Sequence, residues 1–158
     1  MAVYTIIILK DLSPVHMGTG KENYDFSASQ LHSDTLSSAL VAMKAKHSNC
    51  DNLEEFLHSF TVSSAFPYIG KQFFLPRPMG KMNIEIVDCD EYVSRKKLKS
   101  IKFVEQSLWK ELIAGKQIKV LTSQLKNGFL LSSVEDFKQP YQSVVNQRVT
   151  IPREEGKD

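Results

Sequence analysis

Long apolar runs are missing from this chain of 158 residues. The stretch Ile6-Ile7-Ile8-Leu9 falls far short of the roughly 20 residues that a membrane-crossing helix needs. Cysteine is scarce. Cys50 and Cys89 cannot build a disulfide framework and fit a reducing compartment. No basic segment with a small-residue cleavage site accompanies the first apolar stretch, so a secretory leader is not expected and a cytoplasmic location is. Gly-x-Ser-x-Gly, His-Glu-x-x-His, the phosphate-loop motif and the dinucleotide fingerprint are all missing, which removes the commonest hydrolase, metalloprotease and nucleotide-binding readings. No Cys-x-x-Cys occurs, and His16, His32, His47 and His58 stand too far apart for a zinc ligand set on one helix. No metal or other cofactor is expected.

What is present is ordinary globular composition, with 42% hydrophobic and 24% charged residues. That argues against wholesale disorder. A chain of this size buries about 68–70% of its unfolded surface, enough for a core without staples. The net charge of +2 hides an asymmetry. Residues 1–70 hold 4 Lys/Arg and 7 Asp/Glu, whereas residues 71–158 hold 16 and 11. All four arginines (Arg77, Arg95, Arg148, Arg153) lie in the second part and all four histidines in the first. Guanidinium forks match phosphate geometry, so a basic half with arginines suits a polyanion. An ordinary solvated surface is the competing explanation.

Along the chain, residues 3–10 (VYTIIILK) read as a buried strand, being β-branched and almost continuously apolar. A long polar loop with Gly18 and Gly20 follows, up to His32; loops of that length are usually functional or disordered. Ser33-Asp34 offers an N-cap to a helix carrying Leu36, Ala39, Leu40 and Met43. Asp51 or Asn52 starts a shorter one with Leu53, Phe56 and Leu57. Strands are expected at 60–63, 71–75 and 83–87, with Pro76 and Pro78 ending the second. Residues 104–114 read as a helix stopped by Gly115. Asn127-Gly128 marks a hairpin between 118–125 and 129–131. Residues 144–151 can be extended. The opening order strand, helix pair, strand, strand is that of a ferredoxin-like α+β unit.

Three clusters carry chemistry. His16 and His32 with Ser33-Asp34 are the candidates for acid–base work such as RNA backbone cleavage; capping alone also explains Ser33-Asp34. The helix start after Ser33 is attractive to anions, although Asp34 opposes phosphate there. Between Arg95 and Lys102 stand five cations, with Tyr92, Leu98, Ile101 and Phe103 interleaved, so that one face packs while the other carries charge; the charged face is either a phosphate contact or a plain solvated surface. Phe66, Tyr68, Phe73 and Phe74 offer either base-stacking rings or core.

Six segments in this order resemble one family: residues 13–20 (SPVHMGTG), 32–40 (HSDTLSSAL), 63–68 (SSAFPY), 73–78 (FFLPRP), 96–103 (KKLKSIKF) and 148–153 (RVTIPR). Together they are similar to the amino-terminal part of the RAMP-superfamily subunit that caps the crRNA 5′ handle in type III-A CRISPR (Csm) effector complexes, the fourth Csm subunit. The resemblance implies a ferredoxin-like (RRM-like) RAMP domain over residues 1–158, ending near the start of a thumb insertion, with a second domain outside this chain. It implies a non-catalytic RNA-binding subunit in antiviral defence. Its partners would be the crRNA 5′ handle, the large polymerase/cyclase-like subunit and the backbone subunit, with no membrane involved. The superfamily's glycine-rich loop has no counterpart in these residues. Carried over by position, His16, Gly18 and Gly20 match the loop after the first strand, and Ser33 the start of the first helix. Arg148 and Arg153 match the strand entering the thumb. Lys71 and Arg77, with Lys81, flank the Phe-Pro and Pro-x-Pro segments. The rival expectation is a metal-independent endoribonuclease of the crRNA-processing kind that uses His16 or His32.

Overall fold

The computed structural model describes residues 4–18, 27–28, 30–47, 52–134 and 137–141. The elements run α1 (Ser33–His47), α2 (Leu53–His58), β1 (Tyr68–Ile69), β2 (Gln72–Pro76), β3 (Ile84–Ile86), α3 (Glu91–Ser100), β4 (Phe103–Glu105), α4 (Gln106–Ile113), β5 (Ile118–Val120), a 3-10 turn, β6 (Leu125–Lys126) and β7 (Phe129–Leu130). This is an α+β chain. One mixed sheet has the order β1-β2-β4-β7-β6, and β3 and β5 form a separate parallel pair.

The centre of the fold is the parallel pairing of β4 with β7, in which Phe103 stands opposite Phe129 and Val104 opposite Leu130. Successive side chains of a strand point to opposite faces, so each strand sends an aromatic one way and an aliphatic the other. Phe74, Phe103, Phe129 and Leu131 build an aromatic cluster, joined by Phe66, Ile69 and Phe137. Phe129 is its hub: its ring lies 5.2 Å from Phe74, edge-on, and 5.2 Å from Phe103, stacked. Ile86, Ile101, Val104, Ile118, Val120 and Leu130 build the aliphatic cluster on the other face, covered by Leu98 of α3 and by Leu108, Trp109 and Leu112 of α4. Both faces of these short central strands are thereby covered. Each such side chain contributes about 1.5–3 kcal/mol on burial.

The local signals act as their chemistry requires. Asp90 caps α3, its side chain accepting from the Val93 N–H at 2.9 Å. Gly115 ends α4 with φ +75. Asn127 and Gly128 both take positive φ, 49 and 84, which is the turn that suits a two-residue hairpin.

Four expectations are corrected. Residues 4–10 are not a strand: Tyr4, Ile6 and Ile7 are exposed at 86%, 64% and 77%, because apolar periodicity specifies a face but not the partner that covers it. Residues 60–63 are likewise irregular. The described order therefore opens with two helices, not strand–helix–strand–strand. The helix expected from residue 104 begins at Gln106, since residues 103–105 are spent as β4. The extended segment expected at 144–151 lies outside the described residues.

Candidate nucleic-acid interface

The predicted site residues fall in separate places. His16 and Gly18 lie on an exposed loop. That loop is pinned beside them, the Met17 N–H donating to Ser27 Oγ at 2.9 Å and the Ala28 N–H to the Met17 carbonyl at 2.8 Å. Nothing stands within 4 Å of a Cβ built at Gly18. Gly20, Arg148 and Arg153 lie outside the described residues.

Ser33 opens α1, but its N–H already donates to Ser64 Oγ at 3.2 Å, and the Thr35 N–H donates to Asp34 Oδ1 at 2.8 Å. Two N–H groups of the first turn thus already have acceptors, one from Ser64 and one from Asp34, which leaves fewer donors for an anion than a bare helix start. The carbonyl of His32 accepts from Leu36, so the helix starts one residue earlier than a Ser33 cap implies. Its position follows from the same contacts: Ala65 donates to the Leu31 carbonyl at 2.9 Å, tying the α1 entry to the segment before β1. Lys44 sits 5.8 Å over the Phe56 ring and holds α1 to α2. An open depression on α2, about 660 Å³, is lined by Asn52, Leu53, Glu54, Glu55 and His58. It contains none of the predicted RNA contacts.

Lys71 is exposed in the β1–β2 turn, beside the stacked rings of Tyr68 and Phe73. Arg77 follows the far end of β2. At about 3.3 Å per residue the two stand roughly 20 Å apart. Phe74 is wholly buried and Phe66 packs on its cluster, so these two of the four candidate stacking rings belong to the core.

Arg77 is where the sequence candidates converge. Its guanidinium donates to the carbonyls of Leu98 and Lys99 at 3.4 and 3.5 Å, and its backbone N–H to the Lys102 carbonyl at 2.9 Å. It therefore occupies the carbonyl end of α3, where a cation offsets the negative pole of the helix. The same corner receives the hairpin turn, since the N–H groups of Lys102 and Phe103 donate to the Gly128 carbonyl at 2.7 and 3.0 Å. Arg77, Lys99, Lys102 and the Lys126 strand end are brought to one end of the sheet by these contacts.

The cations of α3 are not equivalent. Arg95 is paired with Glu91 one turn earlier. Lys97 faces Asp88, whose carboxyl is held below its ordinary 3.8 chiefly by the Thr122 hydroxyl, then by the Thr122 N–H, with Lys97 adding attraction. Lys96, Lys99 and Lys102 make no ion pair with a described residue. Leu98, Ile101 and Phe103 turn inward as expected, but Tyr92 is 78% exposed on the charged side. Helical spacing alone places residue 92 beside 96 and 99, so the signal was available.

Two further polar sites escape sequence reasoning. Glu105 is buried, and its carboxylate accepts from the Ser132 N–H and Oγ, both at 2.7 Å, and from Ser107 Oγ at 3.3 Å. It locks the end of β4 to the exit of β7. Trp109 Nε1 donates to the Pro76 carbonyl at 3.0 Å, fixing α4 against the end of β2. Among the described residues no three His, Cys, Asp or Glu gather as a metal site, and no helix is long and apolar enough to cross a membrane. Comparison of the chain with family models, curated proteins and solved structures returns no match.

Proposed function

We propose that this chain is the amino-terminal part of a RAMP-type, ferredoxin-like subunit that holds the 5′ handle of crRNA in a type III-A CRISPR interference complex. In that role it binds RNA without cutting it, and bridges the large polymerase/cyclase-like subunit to the backbone subunit. The observation that carries the reading is the run of six motif segments in family order between residues 13 and 153. In support, the described parts of four of those segments fall on an exposed loop, a helix start and the Arg77–α3 corner. Backbone N–H groups of the His16–Gly20 loop and the side chains of Lys71, Arg77, Arg148 and Arg153 would contact handle phosphates. Such binding weakens with salt, by about 0.7 log unit of affinity per contact per log unit of salt on single strands.

The test is co-expression with the partner subunits and a crRNA gene. Photo-crosslinks from the 5′ handle to residues 13–18 and to Arg77 are expected, and Arg148→Glu with Arg153→Glu should reduce retained crRNA. A complex holding crRNA with no crosslink to this chain, or equally well from about 50 to 500 mM salt, overturns the reading. Metal-free cleavage of repeat RNA that disappears in His16→Ala or His32→Ala would replace it with the endoribonuclease.

A further inference from the structure

We infer that the outer face of α3 is a sequence-blind track for single-stranded RNA, in which Tyr92 stacks a base while Lys96, Lys99 and Lys102 hold the phosphates beside it. The inference deepens the RNA-holding reading and rests on it, but it concerns residues that the family resemblance does not assign to RNA.

Positions 92, 96 and 99 recur at four and three residues and so share one helix face. At 1.5 Å per residue they form a row about 10 Å long, which Lys102 continues beyond the helix end. Tyr92 is 78% exposed, which leaves its ring free to take a base. Lys96, Lys99 and Lys102 are exposed and make no ion pair with a described residue, whereas Arg95 is engaged by Glu91. The opposite side of α3 is anchored, Leu98 packing on the aliphatic cluster, so the row stands on a fixed support. Two features oppose an anion, and their placement sets the polarity of the track. Asp90 and Glu91 make the helix start acidic, so phosphates are disfavoured at the Tyr92 end and a base is not. The carbonyl pole at the other end would also repel phosphate, but Arg77 lies on the Leu98 and Lys99 carbonyls and reverses the local sign. An exposed ring followed by unpaired cations is the pairing that single-strand binders use. An acidic protein surface would use the cations but gain little from the ring.

The experiment is filter binding of the whole chain to two labelled RNAs of equal length, one carrying the repeat handle and one scrambled, over about 50–300 mM salt. The Lys96→Gln/Lys99→Gln variant should lower the steepness of the log–log salt plot by about 1.4, at about 0.7 per lost contact. Tyr92→Ala should weaken binding about tenfold with the steepness unchanged. Both variants should affect the two RNAs equally, and circular dichroism should show both folded, since the altered side chains are exposed. No measurable RNA binding, or wild-type affinity and steepness in both variants, overturns the track. Displacement of RNA by polyaspartate together with wild-type RNA binding by Tyr92→Ala overturns it in favour of an acidic protein partner. The handle reading fails separately, when the assembled complex gives no crosslink from the handle to residues 13–18 or Arg77 while the variants still lose affinity here.

Discussion

At the scale of single residues, Asp88 is a small pH sensor of fold stability. The hydroxyl and N–H of Thr122 bind its charged form and lower its pKa from the ordinary 3.8. A group whose folded pKa is depressed stabilises the fold above its unfolded pKa, and that contribution disappears as pH falls through the folded value. Melting temperature of the wild type should therefore drop more steeply between about pH 5 and pH 2 than that of Asp88→Asn, the two curves converging at the acid end. Parallel curves would show that the Thr122 contacts do not favour the carboxylate. The residue scale was also the most legible one. Asn127-Gly128 and Gly115 act through their own backbone preferences, and such chemistry is written in one or two adjacent letters, whereas the Asp90 cap of α3 was not read from the sequence.

Among the elements, α3 matters most to function and depends on its ends. Ten residues with several adjacent cations make a weak isolated helix, and the chain compensates with Asp90 at one end and Arg77 at the other. Asp90→Ala should cost about 1 kcal/mol in denaturant unfolding, and an unchanged midpoint would mean that packing alone holds the helix. The element scale was legible where a helix or strand carries its own cue. Residues 33–47, 72–76 and 84–86 came out close to expectation. It was illegible at β4, where Phe103-Val104-Glu105 runs straight into a helix and is a strand because β2 and β7 flank it. The Arg77 contacts to Leu98 and Lys99 span more than 20 positions, beyond any local pattern. Arg77 was nominated as a phosphate ligand from charge and motif position, and its guanidinium proves to act first on the helix end.

For the molecule as a whole, the two clusters sharing β4 and β7 define what is core and what is not. Residues 4–9 stand outside both, despite being the most apolar-looking stretch of the sequence. Ile7→Asp should then change unfolding free energy by no more than about 0.5 kcal/mol, as at other surface positions. A loss several times larger in urea unfolding would mean that this stretch is covered. The α+β class was legible from strand and helix cues together. The order of strands was not, because parallel pairing of β4 with β7 joins segments separated by α4, β5 and the hairpin.

The placement of Trp109 gives the chain an optical reporter of its own. It is the only tryptophan, and its indole N–H is bonded to the carbonyl just before Arg77. Indole emission responds to the loss of such a bond and to nearby nucleobases. A ligand that pulls Arg77 from the α3 carbonyls would thus announce itself as a change in intrinsic fluorescence, with no dye attached.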